Sequence, residues 1–84
     1  MKLLVKSFAF FNNEKDIANF LRDLMTLAEI NEFENRLKIA KLLLKKDKSY
    51  CEIAKKVGTS TTTVTRVAHW LFHGQGGYQK LLKA

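Results

Sequence analysis

Side chains that can donate and accept hydrogen bonds recur at helical spacing late in the chain, and none of them is acidic. They are Thr61, Thr62, Thr65, Arg66 and His69. Hydroxyl, guanidinium and imidazole groups can contact phosphates and the edges of bases in the major groove of DNA. Because threonine is a weak helix former, this composition indicates a surface kept for contact. The chemistry that these residues suggest is recognition of a polyanion.

The segment Ser49–Leu71 predicts a helix-turn-helix that would present these side chains. The first helix turns an apolar face inward, formed by Ile53, Ala54 and Val57. Gly58 allows the positive φ at which the chain leaves this helix, and Ser60 or Thr59 caps the next one. The second helix has its own inner stripe of Val64, Val67, Ala68 and Leu71. An ordinary helical hairpin is the alternative interpretation of the same pattern.

Further candidate contacts to DNA lie around this unit. The amide groups at the start of a helix favour a phosphate, and Ser49 and Tyr50 open the first helix. Lys55 and Lys56 are candidate contacts to the DNA backbone, with solvated surface lysines as the alternative, and the capping Ser60 is a further candidate contact to DNA. Arg66 is the strongest candidate of all, because a guanidinium can donate two hydrogen bonds to guanine or clamp a phosphate.

The rest of the chain is predicted to be helical, with about six helices in all. Residues 3–11 form a short apolar helix, with a strand as the weaker alternative, and Asn13 caps a helix over Glu14–Met25. Two capping boxes, Thr26–Glu29 and Ser49–Glu52, open the longest helix and the helix-turn-helix. A glycine-rich step ends the recognition helix, and a last amphipathic helix follows over Tyr78–Leu82.

The longest helix, about Leu27–Lys45, has one apolar face formed by Ile30, Phe33, Leu37, Ala40 and Leu44, widened by Leu42 and Leu43. Trp70 is predicted to lie in the core, packed either against the preceding helices or against a partner subunit. Lysines cover much of the remaining circumference of the long helix, at positions 38, 41, 45 and 46.

Charge divides the chain into two unequal halves. Residues 1–37 contain five Lys or Arg and six Asp or Glu, whereas residues 38–84 contain ten Lys or Arg and only two acidic residues. The net charges are therefore −1 and +8. Positive charge thus gathers around the helix-turn-helix, where phosphates would lie.

Other kinds of site are not expected. His69 and His73 are one helical turn apart, but no Cys, Asp or Glu stands nearby to complete a zinc site. The glycines at 74, 76 and 77 follow no strand, and no nucleophile–base pair is present, so we expect neither a phosphate-binding loop nor an enzyme. Cys51 is expected to be a small inert side chain in a reducing compartment.

Length and composition indicate one small domain, residues 1–84, in the cytoplasm. Lys6 interrupts the apolar run in the first eleven residues, which therefore lack the features of a signal peptide. No apolar run in the sequence is long enough to span a bilayer. Since 46% of this short chain is hydrophobic, its core is expected to be completed by a second copy. Residues 3–46 and 76–83 would form the dimerisation helices, and 49–71 the helix-turn-helix.

These segments resemble the Trp repressor family from about Phe20 to Leu82. The similar stretches are LMTLAEINEFENRLKIAKLLL and SYCEIAKKVGTSTTTVTRV, followed by a glycine-rich step and a final helix. The stretch HGQGGY is more similar to the family's Trp-repressor-related branch of the YerC/YecD type. The resemblance implies an all-α, intertwined homodimer that presents two recognition helices to successive major grooves of double-stranded DNA.

The resemblance also bears on a corepressor. In tryptophan-responsive members the ligand lies between two arginines, which match Arg36 and Arg66. A glycine beside the second arginine is replaced here by Val67, and a serine three residues further on by Trp70. These larger side chains are predicted to block the vestigial site, so no cofactor is expected and tryptophan is not expected to bind.

The functional prediction is a sequence-specific DNA-binding transcription regulator, a repressor that blocks promoter access. The alternative is a helical protein-interaction module whose charge serves solubility. A salt titration separates the two, because DNA binding weakens steeply with salt and a hydrophobic interface does not.

Overall fold

The computed structural model describes residues 1–83 and contains six α-helices within them. They are α1 Lys2–Phe10, α2 Glu14–Leu24, α3 Leu27–Lys45, α4 Tyr50–Val57, α5 Thr61–His73 and α6 Gly77–Leu82. No strand occurs in this described part of the chain. The all-α prediction is therefore confirmed, and the opening segment is a helix rather than a strand.

Helices α2 to α5 begin where a side chain accepts a hydrogen bond from a free backbone N–H group of the first turn. Asn13 caps α2 by accepting from the Asp16 N–H at 2.9 Å. At the start of α3, Thr26 Oγ1 accepts from the Glu29 N–H at 3.1 Å, while Glu29 Oε1 accepts from the Thr26 N–H at 2.9 Å. The predicted capping box is thus formed, and each of these starts is determined by residues three positions apart.

The chain separates into two compact units, Met1–Asn31 and Glu32–Ala84, with α3 beginning in the first and continuing in the second. In the first unit four aromatic rings make edge-to-face and tilted contacts: Phe8 and Phe11 lie 5.6 and 5.1 Å from Phe20, and Phe10 lies 5.3 Å from Phe11. Nevertheless no residue of α1 or α2 is buried. This unit therefore leaves most of its apolar side chains exposed.

The second unit contains the hydrophobic core. Its buried side chains come from three helices and are all aliphatic: Ile39, Ala40 and Leu43 of α3, Ile53 and Ala54 of α4, and Val64, Val67, Ala68 and Leu71 of α5. Leu82 and Tyr78 of α6 pack against this cluster and are partly buried. The core thus fixes the position of α4 and α5 relative to the last two turns of α3.

The predicted apolar face of α3 is only partly buried in the single chain, and the most buried stripe of this helix lies beside it. Phe33 and Leu37 are exposed, whereas Ile39 is completely buried. Helical periodicity allowed either stripe, because leucine and isoleucine occur around much of this helix. In the single chain α4 and α5 pack on the side of Ile39 and Leu43, and that packing selects the buried stripe.

Candidate nucleic-acid interface

The helix-turn-helix begins with a complete capping box. Ser49 Oγ accepts from the Glu52 N–H at 3.1 Å, and Glu52 Oε1 accepts from the Ser49 N–H at 2.9 Å. The backbone N–H of Ser49, assisted by its hydroxyl, holds the pKa of Glu52 below its ordinary value. Glu52 therefore stays ionised and folded back on the start of α4 at neutral pH.

The turn between α4 and α5 depends on Gly58. This residue has φ 85° and ψ 41°, and its N–H donates to the Ala54 carbonyl oxygen at 2.9 Å. The Thr59 N–H donates to the same oxygen at 2.9 Å, which completes the end of α4. Only glycine adopts this left-handed conformation without steric cost, as the sequence predicted. Ser60 rather than Thr59 then caps α5, because Ser60 Oγ accepts from the Thr63 N–H.

Helix α5 has a buried face and an exposed face, and the exposed face is polar except for Trp70 and Phe72. Val64, Val67, Ala68 and Leu71 are buried, as predicted. The side chains predicted to contact bases all lie on the exposed face of the helix: Thr61, Thr62, Thr65, Arg66 and His69. The inner stripe therefore determines which residues of α5 a ligand can reach.

Some hydroxyl groups of this surface already take part in local hydrogen bonds. Thr65 Oγ1 donates to the Thr61 carbonyl oxygen at 3.0 Å, so its oxygen can accept and its methyl group can make apolar contacts. Ser49 and Ser60 accept backbone N–H groups as caps, but a hydroxyl has a hydrogen of its own. The Ser49 hydroxyl can therefore cap α4 and donate to a phosphate at once.

In the described residues 1–83, no carboxylate forms an ion pair with the polar side chains on the exposed face of α5. Glu52 is the only acidic residue between Lys48 and the end of the sequence, and it is folded onto Ser49. Within residues 1–83, no carboxylate lies within ion-pair distance of Arg66. Its guanidinium on the exposed face of α5 is thus available for a phosphate or a guanine.

The two lysines predicted on α4 differ in their surroundings. Lys55 and Lys56 are both exposed. Lys56, however, lines a groove together with Lys38, Lys41 and Lys45 of α3. The sequence shows these three α3 lysines on one side of a helix, but residue order alone does not bring them to Lys56.

Arg36 and Arg66, which are 30 positions apart, line one cavity of about 200 Å³ together with Val67, Trp70 and Tyr78. Arg36 is held by its own helix: its Nη2 lies 2.7 Å from Glu32 Oε1, and its guanidinium lies 5.2 Å from the centre of the Phe33 ring. Tyr78 was not predicted at this site. Tyr78 follows the glycine-rich segment, and nothing in the amino-acid sequence indicates that α6 places it beside Arg36 and Arg66.

Trp70 does not lie in the core of the single chain, contrary to the prediction, since 55% of its surface is exposed. It stands at the edge of the α5 apolar stripe, beside Val67, where the protein surface begins. Its ring makes an edge-to-face contact with His69 at 5.0 Å, and His69 lies 5.7 Å from His73.

Among residues 1–83, no group of three His, Cys, Asp or Glu side chains could hold a metal ion. Cys51 is exposed on α4.

No helix within residues 1–83 combines the length and apolar character needed to cross a membrane.

The chain is similar in sequence and in fold to known proteins. The chain is 30% identical over 79 residues to the uncharacterized protein YerC of Bacillus subtilis strain 168, covering 94% of this chain and 75% of YerC.

Two solved structures are also similar. One is the crystal structure of a candidate Trp repressor from Staphylococcus aureus, with a TM-score of 0.86 and 30% identity, covering 98% of this chain and 81% of that one. The other is a TrpR-like protein from Eubacterium eligens ATCC 27750, with a TM-score of 0.87 and 29% identity, covering 98% and 84%. The family model described as Trp repressor protein matches residues 1–84. The chain therefore belongs to the Trp repressor protein family.

Proposed function

We propose that this protein is a DNA-binding transcription regulator that acts in the cytoplasm as a homodimer and represses by occupying a near-palindromic operator. The observation that carries the proposal is the exposed face of α5. This face presents hydroxyl groups, Arg66 and His69, which form no ion pair with any carboxylate of residues 1–83, and the capped turn at Gly58 sets α5 on the core. Membership of the Trp repressor family supports the same function.

The division of labour among the residues follows from their chemistry. Lys55, Lys56 and the start of α4 at Ser49 and Tyr50 would contact phosphates and supply most of the affinity. The exposed side chains of α5 would contact base edges and supply the specificity. Glu52 keeps its negative charge while it is bound to Ser49, so Lys55, Lys56 and the N–H groups of the first turn of α4 would have to outweigh its repulsion of a phosphate.

Exposed apolar side chains in both compact units support the homodimer. In Met1–Asn31, Leu3 and Phe10 are each 81% exposed. In Glu32–Ala84, Trp70 and Leu81 are more than half exposed. Large exposed apolar patches mark interaction surfaces. The resemblance to the Trp repressor family implies that the partner is a second copy of this chain.

Two recognition helices related by a two-fold axis would reach half-sites about 34 Å apart, one helical turn of DNA. Selection from a random duplex pool is therefore expected to enrich a sequence with two inverted half-sites at that spacing. The selected duplex should lose affinity steeply as salt concentration rises. A pool that shows no enrichment, together with a binding constant independent of salt, would contradict the proposal.

We also expect that tryptophan is not a corepressor of this protein. The cavity between Arg36 and Arg66 measures about 200 Å³, below the range of about 300–1,000 Å³ typical of ligand pockets. Val67 and Trp70 both line it, and Glu32 already pairs with Arg36. Calorimetry should detect no tryptophan binding, and tryptophan should leave the DNA affinity unchanged. Micromolar binding, or a DNA complex that forms only with tryptophan, would refute this expectation.

A further inference from the structure

A groove between α3 and α4 concentrates positive charge around an apolar floor. It has a volume of about 300 Å³ and is lined by Lys38, Lys41, Leu42, Lys45, Lys56 and Val57. Leu42 and Val57 are partly buried and pack against the hydrophobic core. All four lysines are exposed. The groove thus offers ammonium groups on its walls and aliphatic surface at its base. We refer to it as the lysine groove.

The positive charge of the lysine groove is not compensated within the described residues. None of the four lysines has a carboxylate within ion-pair distance in residues 1–83. The two acidic residues that follow position 37 are engaged elsewhere: Asp47 with Lys48, and Glu52 with Ser49. Glu34 lies one helical turn before Lys38 but makes no ion pair with it. No carboxylate of residues 1–83 therefore pairs with these lysines in place of an anion.

This arrangement is unfavourable for the empty protein. Lys38, Lys41 and Lys45 follow one another at intervals of three and four residues on α3, and like charges at these spacings destabilise a helix. Lys56 adds a fourth like charge from α4. A multiply charged anion in the groove would replace this repulsion by attraction to all four ammonium groups.

We propose that the lysine groove binds a small organic polyphosphate, in which linked phosphates are joined to an apolar or aromatic body. Lysine binds phosphate as a compact point charge, and several lysines in a row suit a chain of linked phosphates. Leu42 and Val57 would contact the apolar body. The volume lies at the lower end of the range of about 300–1,000 Å³ for small-molecule sites.

The lysine groove is separate from the exposed face of α5. No residue of α5 lines it, and of the residues proposed to contact DNA it includes only Lys56. Lys55, the neighbour of Lys56 on α4, does not line it. Leu42 and Val57 are partly buried between exposed lysines, a position that suits a ligand small enough to enter the groove. These features favour a small ligand over an extension of the DNA interface.

Calorimetry on the full chain without DNA tests the proposal, with adenosine triphosphate, inorganic tripolyphosphate and adenosine as probes in magnesium-free buffer of low salt. Adenosine triphosphate is expected to bind several times more tightly than tripolyphosphate, because only the former has a body that reaches Leu42 and Val57. Adenosine alone should not bind measurably. Equal affinities for the two polyphosphates would overturn the proposal, because simple charge attraction would then suffice.

The variant Lys41→Gln/Lys45→Gln locates the site. We expect it to weaken adenosine triphosphate about tenfold, since two ammonium contacts are lost. Removing like charges should leave the thermal stability equal or higher, so loss of folding does not obscure the result. The control is Lys80→Gln/Lys83→Gln, which removes the same charge from exposed positions outside the groove. An equal loss in both variants, or no loss in the first, would overturn the proposal.

Discussion

Replacing Phe10 by aspartate is expected to dissociate the protein into single chains at concentrations where the unmodified protein is a dimer. Phe10 is 81% exposed in the single chain, and no other residue of α1 is buried either. Burying a phenylalanine contributes about 1.5–3 kcal/mol, and a two-fold interface contains each residue twice. The dimer dissociation constant should therefore rise by about 10²–10⁴-fold.

Sedimentation over a range of concentrations measures this effect. The unmodified protein should sediment at twice its chain mass of 9.7 kDa at micromolar concentration. Asn12→Asp is the matched control, because it introduces the same carboxylate two residues away at an exposed position outside the helices. A clean 9.7 kDa species for the unmodified protein would refute the dimer, and with it the proposal of two half-sites. Identical sedimentation of both variants and the unmodified protein would exclude Phe10 from the interface.

Replacing Arg66 by alanine is expected to weaken binding to the selected operator by about 1–3 kcal/mol in each half-site and to relax the preference at one base pair. Arg66 is exposed on α5 and has no carboxylate partner within residues 1–83. Its guanidinium is thus free to donate two hydrogen bonds to guanine. A base contact of this kind discriminates among sequences. The loss of affinity should therefore be larger on the cognate duplex than on scrambled DNA.

Lys55→Ala is the contrasting variant. A phosphate is the same group in every duplex, so this change should weaken cognate and scrambled DNA about equally and lower the salt slope by about one unit. Arg36→Ala serves as a second control, because Arg36 shares a cavity with Arg66 but belongs to α3 and is paired with Glu32. It should leave the base preference intact.

Binding curves for the three variants on cognate and scrambled duplexes at several salt concentrations distinguish these outcomes. Circular dichroism and sedimentation must first show that each variant folds and dimerises like the unmodified protein. If Arg66→Ala then binds every duplex as tightly as the unmodified protein, α5 is not the recognition helix. If Arg36→Ala alters the base preference, the specificity lies in the cavity between the arginines instead.

Local features of this fold could be predicted because each depends on residues close in sequence. The caps at Asn13, Thr26 and Ser49 join side chains to backbone N–H groups three residues later. Gly58 has a positive φ because the chain must leave α4 there, whatever packs around it. The same holds for the candidate contact residues of α5, since four small or aliphatic residues form its inner stripe and Thr61, Thr62, Thr65, Arg66 and His69 lie outside it, as do the apolar Trp70 and Phe72.

Features that join distant residues needed the tertiary structure. Hydrophobic periodicity shows which face of a helix a side chain lies on. It does not show which of these faces a neighbouring helix covers. The burial of Ile39 instead of Phe33, and the exposure of Trp70, both depend on where α4 and α5 pack. The helices, their caps and the candidate contact residues of α5 follow from hydrogen bonds and spacing within a few residues, so the amino-acid sequence sufficed to predict them. Only the packing of aliphatic side chains between helices brought Lys56 to the lysines of α3, and Arg66 to Arg36, because those pairs are separated by 11 or more positions along the chain.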